Sequence, residues 1–266
     1  MDMDEKAIRC VVSSAVDAYA AGFSDRHVSE ANDPEGTINM KIHNVFIAAL
    51  GKDIQYYSAL ARSLDSSLGN MLEKMAINIA KLNYTVEQSV EGYMTTAQTN
   101  FIAELLEKYK TRNRVPMISD YQCISELFNS QDGIHKVHAS DYYLYDAKCD
   151  LHVLIELKIG GDLDNKKSRS EKEAILEQYA ILKNKLPTNS DIKIYFATAY
   201  NRFGENKEWR QERVLQFFSK EELLIGKDFW NFICKSTRGY EIVLDEYRNN
   251  AFKIVQALEK IKQVYL

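Results

Sequence analysis

Proline is scarce in this chain, three in 266 residues, and glycine is limited to 11. With no repeat, low-complexity tract or long Ser/Gly linker, repeat arrays and disordered spacers are excluded, and no sharp domain boundary can be drawn. No run approaches the roughly 20 apolar residues that a membrane-spanning helix needs. The chain opens with Asp2, Asp4 and Glu5 where a secretory leader would carry basic and then apolar residues, so the expectation is a soluble, cytoplasmic protein. The four cysteines, Cys10, Cys123, Cys149 and Cys234, form no CxxC pair and join no His at zinc-ligand spacing, which excludes a zinc ribbon and leaves reduced core thiols as the expectation. A basic excess is also missing. With 34 Lys and Arg against 38 Asp and Glu the net charge is −4, which argues against a non-specific nucleic-acid coat but is compatible with a local basic cleft.

What is present is enough apolar residue, 45% of the chain, to bury a full core. One domain over residues 1–266 is expected, mainly helical over about 1–115 and mixed over about 116–266. Leu68, Leu72, Met75, Ile79 and Leu82 recur at helical spacing, as apolar residues mostly do from Glu5 to about Lys110. Between His138 and Asn201 the pattern becomes two strand-like runs, a charged amphipathic helix from about Ser170 to Lys185 and a strand from Ile192 to Ala199. A basic, aromatic stretch from Arg202 to Phe218 follows, then a short helix around Phe229 to Ile233 and a closing helix from about Asp245 to Tyr265. The fold class is mixed α/β, with helices flanking one sheet.

The informative stretch runs from Asp150 to Ile159. Leu151, Val153, Ile155, Leu157 and Ile159 alternate with Asp150, His152, Leu154, Glu156 and Lys158, the period-2 signature of a strand, so Glu156 and Lys158 project together from one face at its end. The preceding run, Asp141 to Asp146, pairs with it as a hairpin if Lys148 and Cys149 make a two-residue turn. Partners then have residue numbers summing to 297, which sets Asp141 opposite Glu156 with Cβ atoms about 5 Å apart. Two carboxylates that close repel unless a cation lies between them. A three-residue loop would set Ser140 opposite Glu156 instead. Asp146 faces Leu151 on the apolar side, and Asp150 is about 20 Å along the strand from Glu156.

Asp141, fourteen intervening residues, then Glu156-Leu157-Lys158 at a strand end followed by an amphipathic helix resembles the PD-(D/E)XK nuclease motif, with Ser140 in place of the usual proline. Other segments resemble type II restriction endonucleases, the likeness spanning roughly Ala59 to Ile233. The stretch from Ser66 to Ala76 is similar to their first helix, where a glutamate, here Glu73, supports the metal site; Leu224 to Ile233 is similar to a further segment. The resemblance extends to a subgroup cutting interrupted palindromes such as GGNCC. It implies a restriction-endonuclease-like core, one or two Mg²⁺ ions held by Asp141, Glu156 and the main-chain carbonyl of Leu157, and Lys158 positioning the attacking water. It also implies double-stranded DNA as substrate and a homodimer.

Beside the strand, Lys166, Lys167, Arg169 and Lys172 form a local basic cluster suited to backbone phosphates. Asn201, Arg202, Lys207, Trp209, Arg210, Gln211 and Arg213 offer side chains that pair with base edges. Plainer readings compete with each of these. Glu156 and Lys158 also describe a salt bridge at an exposed sheet edge, Glu73 beside Lys74 a solvated helix face, and 202–213 an ordinary amphipathic helix. The 170–185 helix reads as scaffold, with Gln178 in a supporting role. His135 and His138 lack a third ligand at motif spacing, and His152 reads as a satisfied core histidine. A structure-directed nuclease of the same fold and a non-catalytic DNA-binding or interaction module are the competing functions.

Overall fold

The computed structural model describes residues 3–266; Asp2 lies outside the described residues. The chain divides into two compact units, Met1–Ile79 with Glu241–Leu266, and Ala80–Tyr240. Among the described residues no helix is long and apolar enough to cross a membrane.

The first unit is helical: α1 (Met3–Ser29), α2 (Val45–Ala48), α3 (Lys52–Ala80) and nearly all of α8 (Gly239–Tyr265). Its core follows from spacing of four and three residues, with Val16, Ala20 and Phe23 on α1 and Ile254, Ala257 and Ile261 on α8 buried at such intervals. Two polar links tie the helices together: His27 Nε2 lies 2.9 Å from Ser63 Oγ, and the Tyr265 hydroxyl donates to the His27 carbonyl at 3.0 Å.

The second unit contains β1 (Thr85–Met94), α4 (Thr96–Lys110), β2 (Ile134–Asp146), β3 (Leu151–Leu157), α5 (Asn165–Lys185), β4 (Asp191–Thr198), α6 (Glu212–Leu215), β5 (Leu223–Ile225) and α7 (Lys227–Cys234). The strands form one mixed sheet in the order β1-β2-β3-β4-β5, antiparallel across the first three and parallel from β3 to β5. Helices α4 and α5 cover one face, where Leu154, Ile192, Ile194 and Phe196 join Leu106, Leu176 and Tyr179 in a single core. Helix α7 covers the other, its Phe229 ring 6.2 Å from Tyr142 and its Phe232 ring 5.5 Å from Tyr195. The fold is thus mixed α/β with helices on both faces of the sheet.

Two expectations change. Strand β1 lies inside the stretch whose apolar spacing read as helical. Val86, Val90, Tyr93 and Met94 satisfy helical intervals, but Val90 and Met94, both buried and four residues apart, also share one face of a strand, and that strand pairs with β2. Of the cysteines, all free, only Cys234 is a core thiol; Cys10, Cys123 and Cys149 are exposed, the last in the tight turn between β2 and β3, where side chains have no core to enter.

Candidate active site

The β2–β3 hairpin has the register in which partner numbers sum to 297, from Asp146↔Leu151 to Tyr142↔Ile155. The turn holds it through Asp146, whose side chain accepts the Lys148 N–H at 3.1 Å and pairs with Lys235, and through Asp150, which takes a positive φ of 51° that aspartate tolerates. Carrying the register one step further sets Asp141 across from Glu156. There the Asp141 side chain itself takes over, with Oδ2 accepting the Leu157 N–H at 3.0 Å. Asp141 is therefore tied to the backbone between Glu156 and Lys158.

Glu156 is not on an exposed edge. It is 7% exposed on a strand flanked by β2 and β4, so an incidental surface ion pair does not describe it. Its Oε1 lies 2.5 Å from Lys158 Nζ, and Glu171 Oε1, arriving from α5, lies 3.3 Å from the same nitrogen. Burial first, then the charges of Asp141 and Glu171, push the Glu156 carboxyl up to about 8, against the opposing pull of Lys158. Burial works to lower Lys158, but the neighbouring acids, Glu156 foremost and then Asp141 and Glu171, together outweigh it and the net shift is upward. Three carboxyl groups facing one ammonium carry an excess of negative charge when all are ionised, which is what Glu156 resists by holding its proton.

That excess, and the donor set itself, fit a divalent cation. Carboxylate and carbonyl oxygens are the hard ligands that Mg²⁺ takes, commonly one or two carboxylates completed by water and substrate phosphate. Among the described residues no three His, Cys, Asp or Glu side chains are grouped to hold a metal by themselves.

Glu171 is the site neighbour that motif reading missed, and α5 carried a signal for it. Glu171, Ile175, Gln178 and Leu182 fall on one helical face that is buried but for a partly buried Glu171. A charged residue heading an apolar stripe has to meet a partner. Gln178 on that face donates to the Ala139 carbonyl at 3.3 Å, steadying β2 two residues before Asp141. His152 is a satisfied core histidine, with Nδ1 2.8 Å from the Tyr143 hydroxyl. His138 pairs with Glu177 at 3.1 Å, away from the carboxylates of the site.

The basic candidates separate. Lys166 and Lys167 are exposed in the first turn of α5, which Asp164 caps by accepting the Lys167 N–H at 2.7 Å. Arg169 is partly buried, 4.0 Å from Glu107. Lys172 does not belong to a phosphate-binding cluster: it is fully buried and ion-paired with Glu222, because its position on α5 faces the core. The stretch from Arg202 to Arg213 is a loop with only its last two residues in α6, and its Trp209 is buried. Arg202 lies 2.7 Å from Asp162, which also accepts from Gln211 Nε2 at 3.1 Å; Arg210 stacks over Phe203 at 5.5 Å, and Lys207 and Arg213 are exposed. Because β3 and β4 are parallel, this loop leaves the sheet at the end where Lys158 sits, and the Ala199 N–H, donating to the Ile159 carbonyl at 3.1 Å, ties the two exits together. Glu73 lies exposed on α3, in the helical unit.

A family model described as type II restriction endonuclease, HinfI, matches residues 5–251. No match is found among curated proteins or among solved structures. A preference for GGNCC-like sites is narrower than the family match carries.

Proposed function

The chain belongs to the HinfI family of type II restriction endonucleases, enzymes that hydrolyse DNA at specific sequences, and from that premise we propose that its Mg²⁺-dependent active centre is Asp141, Glu156 and Lys158. The observation that carries this reading is the buried Glu156 carboxylate, set across from Asp141 by the hairpin register and 2.5 Å from Lys158 Nζ at the end of β3.

Asp141, Glu156 and the main-chain carbonyl of Leu157 are the groups that would hold Mg²⁺, one ion or two. When bound, the cation supplies Lewis-acid polarisation of the scissile phosphate and lowers the pKa of the attacking water. Lys158 orients that water through its ammonium and offsets negative charge building on the phosphate as the new P–O bond forms and the old one breaks. Asp141 keeps the strand end in place through its bond to the Leu157 N–H. Glu73 enters the proposal from the resemblance of its helix alone.

Lys166, Lys167 and Arg169 are assigned to backbone phosphates, and Arg202, Lys207, Arg210 and Arg213 to the base-reading loop, on the strength of its exit beside Lys158. Cutting both strands of a symmetric site calls for two copies of the chain, so the working form is a homodimer, both units of each chain serving one endonuclease in the cytoplasm.

Incubation with unmodified plasmid and phage DNA in Mg²⁺, beside an EDTA control and Glu156→Ala, tests the assignment. Discrete bands that need the metal and vanish in the variant are expected. Cleavage by Glu156→Ala at the wild-type rate would remove Glu156 from the centre; cutting confined to junctions or ends would mark a structure-directed nuclease, and no cleavage of any DNA a non-catalytic module.

A further inference from the structure

Glu171 belongs to no part of the Asp141, Glu156 and Lys158 pattern, yet its carboxylate is 3.3 Å from Lys158 Nζ. The next residue explains why it points there. Lys172 is fully buried, ion-paired with Glu222, and its ammonium sits 4.9 Å from the Tyr121 ring centroid and 4.7 Å from that of Phe218. The Tyr121 hydroxyl donates to the same Glu222 oxygen at 2.8 Å. Rotating α5 to turn Glu171 away would drag a buried charge from its partner, which is strongly unfavourable. The helix phase, and with it the aim of Glu171, is fixed from the core side.

We propose, building on the active centre assigned above, that Glu171 is a positioning residue that keeps hold of the Lys158 ammonium when a divalent cation engages Glu156. In the metal-free site Glu156 and Glu171 both contact that ammonium. A cation on Asp141 and Glu156 competes for the Glu156 carboxylate and repels the lysine, and a lysine left with no partner would swing toward solvent on its flexible stem. Glu171 comes from a different element and, among the described residues, forms no three-carboxylate metal group with Asp141 and Glu156. Its carboxylate lies 3.3 Å from Lys158 Nζ, and it acts on that ammonium, which it retains at the end of β3.

The test uses the full chain and two readouts. Cleavage of saturating DNA in saturating Mg²⁺ is timed for wild type, Glu171→Gln and Glu171→Asp, with DNA binding in Ca²⁺ as a control. Separately, Lys158 methylation by formaldehyde and borohydride in Ca²⁺ without DNA is read by peptide mass spectrometry. Glu171→Gln is expected to cut at least tenfold more slowly with unchanged DNA binding, Glu171→Asp to recover most of the rate, and Lys158 labelling to rise several-fold in Glu171→Gln. Wild-type cutting by Glu171→Gln, or Lys158 labelling equal to wild type, would overturn the proposal. Should the wild type itself cut no DNA, the active-centre assignment falls, while the labelling still decides whether Glu171 holds Lys158.

Discussion

In the proposed centre Glu156 meets two opposed demands, burial for a tight site and charge for binding a cation. Because its folded pKa lies above the ordinary carboxylate value, up to about 8, the native protein carries a proton between about pH 4.5 and 8 that the unfolded chain has lost. Stability of the metal-free protein therefore falls as pH rises through that window. Urea midpoints in EDTA at pH 5 and pH 8 measure this, and Glu156→Gln should flatten the difference; equal slopes in the two proteins would contradict it. Asp141 separates two roles that are otherwise merged. Asn at 141 keeps an oxygen to accept the Leu157 N–H but loses the charge. Asp141→Asn should thus retain a wild-type melting temperature within a few degrees while cleavage falls about a hundredfold or more. A large loss of stability would mean that the charge, and not the hydrogen bond alone, holds the strand end.

At the scale of elements, β3 is the strand most legible in the sequence, and α5 is legible as a helix but not in what its buried face meets. The alternation from Leu151 to Lys158 announces β3, and the hairpin register follows from a short turn whose length fixes which side chains face each other. Helix α5 reads correctly as amphipathic, but which residue on its buried face finds a carboxylate and which finds an ammonium is a matter of what packs against it. Lys172 shows the consequence: counted by sequence it is one more surface base, and in the fold it is the pin of the helix. Lys172→Met leaves Glu222 buried without its cation and should cost about 3 kcal/mol in chemical denaturation, and Lys172→Met/Glu222→Gln should recover much of it. An unchanged midpoint for the single variant would show that the pair does not hold α5. Strand β1 was hidden for a related reason. Its apolar residues satisfy two periodicities at once, and only the open edge of β2 decides between them.

For the molecule as a whole, one proposed centre per chain and two strands to cut give a direct prediction. If a homodimer acts, mixing wild type with an excess of Glu156→Ala under exchange conditions should convert supercoiled plasmid mainly to nicked circles where wild type alone gives linear DNA. Linear product at an undiminished share would mean that each chain cuts both strands in turn. By itself the sequence determined the mixed α/β class and the shared face of Glu156 and Lys158, because strand alternation is local and leaves side chains no choice of face, while the hairpin register that brings Asp141 to them hung on a turn length that the fold decided. The resemblance of those residues and their surroundings pointed to the family that the match over residues 5–251 then showed. Tertiary structure alone decided that β1 is a strand, that Lys172 is buried and that Glu171 meets Lys158. Those outcomes rest on contacts between segments distant in the chain, such as Lys172 with Glu222 fifty residues on, and on burial, which sets the energy of a charge only once its neighbours are in place.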